Sequence, residues 1–127
     1  MKKMLIGIFV LIMTMSGCVS LPTAEEAQHA DYGAYPANYS EVVKFYYENV
    51  AKDPDSLKFK KITEPQKYWL GNRIDGAKYG YLVCATVNGK NSYGAYVGYA
   101  TDALLIRNGK VIEYVAKGNW YGRYLCA

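Results

Sequence analysis

Residues 4–15 form a near-continuous apolar block, MLIGIFVLIMTM, preceded by Lys2 and Lys3 and followed at once by Ser16, Gly17 and Cys18. Twelve residues make about 18 Å of helix, against the roughly 30 Å of a bilayer's hydrocarbon core. The block therefore has the charge and length of a signal-peptide core and is too short to span a membrane. This limits what the chain can fold into. All four methionines, Met1, Met4, Met13 and Met15, lie within this leader, so the rest has no methionine-rich adaptable surface. A secretory leader ordinarily closes on small residues of A-x-A type, whereas here the small residues run directly into a cysteine.

Met15-Ser16-Gly17-Cys18 resembles a bacterial lipobox, with Met15 where the usual pattern has leucine. The resemblance implies cleavage between Gly17 and Cys18, a signal peptide over 1–17, and a Cys18 that carries diacylglycerol on sulfur and an acyl chain on its new amine. No other cofactor is implied. Two or three chains on one residue give durable attachment, since one chain alone binds only marginally. Neither Val19 nor Ser20 is aspartate, and in the lipoprotein pattern that makes the periplasmic face of the outer membrane the default destination.

Loss of Lys2 and Lys3 reduces fifteen basic side chains to thirteen against eleven acidic ones, a balance of about +2. That is too weak to argue for nucleic acid. Val19 to Pro36 shows no sustained apolar period, so 18–36 is expected to be the lipidated cysteine and a flexible tether, with a reach of a little over ~20 Å. His29, the only histidine, has no Cys or His at ligand spacing and reads as an exposed linker residue.

A single domain is expected over 37–127. Val43, Tyr46, Tyr47 and Val50 repeat at helical spacing, which predicts an amphipathic helix from Glu41 to Ala51 with Ser40 or Asn38 as its cap. Asp53-Pro54 ends it. Asp53 to Phe59 resembles a D-P-x-S-A-x-F phrase of small secreted bacterial domains, with Leu57 in place of alanine. Leu57 and Phe59 then point to one face of a strand, and Lys58 and Lys60 to the wet face. Lys58, Lys60 and Lys61 are the densest charge on the chain and a candidate docking patch, though three cations fall short of a lipid-recognition cluster. Thr63 to Lys78 is rich in turn formers and predicts a loop or a short irregular hairpin around Trp69.

Tyr79 to Asn88 and Ser92 to Ala100 are rich in aromatic and β-branched residues and predict a hairpin, with Gly94 and Gly98 marking close approach of a neighbour. Asn108-Gly109 between Leu104–Arg107 and Val111–Val115 predicts a second hairpin. The phrase from Val87 to Gly98 resembles the V-N-A-K-N-S-Y-G-G-Y-x-G stretch of small uncharacterised bacterial lipoproteins, with Gly89 for alanine and Ala95 for glycine. That resemblance implies a fold type and no catalytic residues. With Cys18 committed to lipid, Cys84 and Cys126 are each other's sole partners in an oxidising envelope and are expected to pair.

The expected architecture is α+β: one N-terminal amphipathic helix packed on a small antiparallel sheet of about four to five strands. The domain has no histidine, phosphate loop, nucleophile elbow or metal-ligand spacing, so neither a catalytic nor a metal site is expected, and Glu41, Glu48, Glu64, Asp75, Asp102 and Glu113 are scattered. Tyrosines dominate the aromatic content, and Tyr93, Tyr96 and Tyr99, with the three lysines, form the candidate binding surface. These observations point to a non-catalytic binding or structural module of the envelope, partnered by the bilayer through Cys18 and by an envelope protein or peptidoglycan. The alternative is a periplasmic inhibitor or immunity-type protein that blocks an enzyme such as a lysozyme through an exposed loop, Asn88–Tyr93 or Lys67–Gly76.

Overall fold

The computed structural model describes residues 19–126; the leader and Cys18 lie outside the described residues. No helix among the described residues is long and apolar enough to cross a membrane.

In chain order, α1 (Ala24–Gln28) and α2 (Tyr39–Val50) precede β1 (Lys58–Ile62), β2 (Gln66–Asn72), β3 (Gly76–Asn88), β4 (Ala100–Arg107) and β5 (Lys110–Val115). Two short strands, β6 (Asn119–Trp120) and β7 (Arg123–Tyr124), form a separate hairpin. The fold is α+β, with a five-stranded antiparallel sheet. The thirteen-residue β3 organises it: β1 pairs with its C-terminal half, β2 with its N-terminal half, and β4 runs along its other edge, followed by β5.

Both faces of the central strands are covered, which is why β4 reads as a nearly continuous apolar run. Leu104 and Ile106 join Val83, Ala85 and Val87 in a core with Val42, Val43 and Tyr47 of α2. Leu105 and Ala103 face the other way, into a core with Leu70, Leu82 and Val115 that Trp120, Leu125 and Cys126 of the C-terminal segment cover. The Cys84–Cys126 disulfide fastens that segment to β3. Helix α2 buries Val42 rather than Val50, which is exposed, and Asn38 holds the cap position.

A register shift between Phe59 and Lys61 places an extra residue in β1. Such a bulge restores Phe59 and Ile62, three apart, to the same helix-facing core, and leaves Lys58, Lys60 and Lys61 all exposed. Lysines and a bulge on an edge strand also discourage pairing with another chain.

Three expectations need correction. Ser92 to Tyr99 is not a strand: the partner edge of β3 is occupied by β4, which begins at Ala100, and 92–99 forms an exposed loop. Gly94 and Gly98 there adopt φ of 78° and 96° with nothing close by. The close approach belongs to Gly80, where a Cβ would lie 2.6 Å from the Ile106 carbonyl oxygen. Second, the hairpin expected within 63–78 forms, but it is neither short nor irregular: Gln66 to Asn72 is a regular strand that Asn72 to Gly76 turns directly into β3. Third, residues 19–36 do not run as a free tether. A Thr23/Glu26 capping box starts α1, Tyr32 and Tyr35 pack edge-on against Tyr79 and Tyr81, and Arg107 donates to the Asp31 carbonyl at 2.6 Å. Polar composition concealed a segment held by tyrosine edges and one arginine rather than by an apolar stripe.

Candidate functional site

The two sequence phrases singled out above meet in space. Ser56, buried in the single 3-10 turn over Pro54–Ser56, donates from Oγ to the Asp53 carbonyl at 2.7 Å and accepts from the Lys90 amide at 2.8 Å. Its own carbonyl accepts from the Tyr96 hydroxyl at 3.1 Å. The Asp53–Phe59 turn is thus the floor on which the 89–99 loop stands.

The loop above that floor is ordered by its own polar groups. Asn91 Oδ1 accepts from the amides of Tyr93 and Ala95, at 3.0 and 3.2 Å, and Asn88 Oδ1 accepts from Gly98 at 3.0 Å. The Asn91 amide donates to Ala95, the Gly94 amide to Asn91 and the Val97 amide to Gly89. Asparagine bonding to backbone two to four residues on lets a polar chain make a compact turn without a core beneath it. The positive φ at Gly94 and Gly98 explains the need for glycine.

Of the six residues expected to form a binding surface, four pair directly. Lys58 Nζ lies 4.5 Å from the centre of the Tyr96 ring, and Lys60 Nζ 5.6 Å from that of Tyr99. Lys90 adds a second ammonium 5.4 Å from the Tyr96 ring. Tyr93 stands apart at the loop's tip, 95% exposed, and Lys61 lines a hollow with Tyr39, Ser40 and Phe59. The bulge in β1 and the loop together produce this arrangement, which neither segment makes alone. Cation–π contacts at exposed sites contribute about 0.5–1 kcal/mol each. They hold ammonium groups over the faces of two exposed tyrosines, a chemistry suited to carboxylate-bearing sugars and to acidic protein surfaces.

A second polar cluster was not anticipated. Asp102, buried in β4, accepts from the Tyr47 hydroxyl at 2.6 Å and from the Lys117 amide at 2.8 Å. Burial, then the Asp102 carboxylate, pushes the Tyr47 and Tyr114 phenols far above the ordinary value of 10.0, and Tyr46 is raised for the same reasons. Tyr46 stacks on Tyr114 with ring centres 5.5 Å apart. Lys117 adopts φ of 55°, and the neighbouring Gly118 packs against Cys126, so Asp102 fixes the corner that directs the chain to the disulfide. A lone acid within the apolar run of β4 was the available clue. Glu113 is tied to Lys78 at 2.9 Å, and Asp75 accepts from Asn72 Nδ2 at 3.1 Å. Among the described residues no three His, Cys, Asp or Glu side chains gather as a metal site. His29 is exposed beyond α1.

No protein family, curated protein or solved structure matches this chain.

Proposed function

We propose that this protein is a lipid-anchored binding module of the bacterial cell envelope, attached through Cys18 at the periplasmic face of the outer membrane and using the Tyr96–Lys58–Lys90 and Tyr99–Lys60 platform to engage peptidoglycan or an envelope protein. It acts without catalysis. One observation carries the reading: an exposed loop holds its tyrosine faces and lysine ammonium groups in fixed register over a buried serine turn. Preordering of this kind lowers the entropic cost of association. Stacking faces suit the glycan, and ammonium groups suit the carboxylates of its peptide stems.

The full-length protein is expected to be retained on purified peptidoglycan, with retention lost on combining Tyr96→Ala and Lys58→Glu. Equal retention of wild type and variant would remove the platform from the reading. The inhibitor alternative is supported by the tip of the same loop, where Tyr93 is presented on a hydrogen-bonded backbone. Stoichiometric recovery of a secreted hydrolase such as a lysozyme from solubilised envelope, abolished by Tyr93→Ala, would favour it over the glycan partner.

A further inference from the structure

The described chain begins at the β2–β3 turn. A Cβ built on Gly76 would lie 3.1 Å from Val19 Cγ1, so the residue that directly follows Cys18 sits against the start of β3. From there the backbone is fixed: the Thr23/Glu26 box, the Tyr32–Tyr79 contact and the Arg107–Asp31 ion pair at 3.4 Å leave little slack before α2. Val19 and the turn belong to one end of the molecule.

That end carries side chains that the core does not use. Asn72 Oδ1 accepts from the amides of Ile74 and Asp75 at 2.8 and 2.7 Å, and the turn this builds holds Ile74 outward, 86% exposed. Val19 and Leu21 are also exposed. The β6–β7 turn borders a hollow with Asn72, Asp75 and Gly76, and places Tyr121, 81% exposed, on the same end. Arg73 is exposed beside Ile74. Asp75 and Glu113 are the acids there, the first bonded to Asn72 and the second paired with Lys78. Aliphatic tips beside a tyrosine and an arginine are the residue types that settle at a bilayer's headgroup boundary.

We infer that this end is a membrane-contacting face, with Ile74, Val19, Leu21 and Tyr121 entering the headgroup layer beside the acyl chains. The inference rests on the acylation of Cys18 proposed above and adds an orientation to it: β3 stands away from the bilayer. Thirteen residues of strand reach about 40 Å, which sets the 89–99 loop at the far end.

The test uses full-length acylated protein in phosphatidylethanolamine/phosphatidylglycerol vesicles. With Cys18 acylated and Cys84 bonded to Cys126, Ile74→Cys and Tyr93→Cys each introduce a single free thiol for an environment-sensitive fluorophore. The expected result is a blue shift at 74 on vesicle attachment, with quenching by spin-labelled lipids, and neither change at 93. Water-like emission at 74 in vesicle-bound protein would overturn the orientation while leaving the anchor intact. A wild-type protein that lacks acyl mass and does not float with vesicles would overturn the anchor, and the orientation with it.

Discussion

Both ends of β3 are closed by an asparagine whose side-chain oxygen gathers two backbone amides, Asn72 at the β2–β3 turn and Asn91 in the 89–99 loop. The first turn is built by its own side-chain hydrogen bonds, and Ile74 stands at its tip between exposed Arg73 and Asp75. The second is stapled to another part of the chain through Ser56 and Tyr96, and it exposes three tyrosines, with lysines over two of them, beside Val97. The same local device thus presents an isoleucine on a short turn at one end and an ordered tyrosine-rich loop at the other. Long-range fastening makes the difference, and six perturbations test it.

The largest effect is expected from removing the disulfide, which closes a loop of sequence separation 42 and contributes about 4 kcal/mol on the chain-entropy model. Cys84→Ala with Cys126→Ala should lower the thermal midpoint by on the order of 20 °C. Hydrogen exchange should rise at 89–99 and 119–126 before it rises at 72–76. The reverse order would break the comparison, because it would make the short turn the dependent one.

Tyr47→Phe comes next. It strips a donor from the buried Asp102 carboxylate and should cost about 1.5–3 kcal/mol, leaving the contrast between the two ends unchanged. It also bears on alkaline unfolding. The folded state holds the Tyr47 and Tyr114 protons more tightly than the unfolded chain, where tyrosine titrates near 10.0. The stability that follows is complete below that pH and is lost as pH rises above it. Denaturant midpoints measured between neutrality and strongly alkaline pH should fall less steeply for Tyr47→Phe than for wild type.

Smaller still, Ser56→Ala should cost about 1–2 kcal/mol and free the Lys90 amide to exchange, without altering the β2–β3 turn. Asn72→Ala is the matching change at the other end and should leave the Lys90 amide protected. Ile74→Ser and Tyr93→Ala should each shift stability by less than about 0.5 kcal/mol in chemical denaturation, because both side chains already stand in water.

How far these features could be read beforehand follows the range of the interactions that make them. Asn108-Gly109 turns β4 into β5 by local dihedral preference, φ of 52° and 74°, and was legible at once. The lysine-rich stretch was identified, but the bulge that exposes Lys61 along with Lys58 and Lys60 depends on Ile62 finding the helix-facing core. Residues 92–99 are rich enough in aromatic and β-branched side chains to predict a strand, yet no free edge of β3 remains for them, a fact of topology that composition does not carry. Residues 19–36 show no apolar pattern, and tyrosine edges and Arg107 hold them instead. Lys58, Lys60, Tyr96 and Tyr99 stand out in the sequence and lie against one another with Lys90 added, whereas Ser56, which joins turn and loop, reads in sequence as an ordinary turn serine.

The bond between Cys84 and Cys126 also closes a covalent ring, and the 89–99 loop lies inside it while the β2–β3 turn lies outside. A protease that cuts after the exposed Tyr93 or Tyr96 therefore releases nothing. The piece ending at the cut keeps Cys84, the piece beginning there keeps Cys126, and the two migrate as one species until reductant is added. Cleavage in the 72–76 turn has no such bridge across it, so the fragment carrying the N-terminus would be held by strand pairing and core packing, with no covalent link. The end that carries the proposed recognition surface is thus the end whose scission the protein survives in one piece.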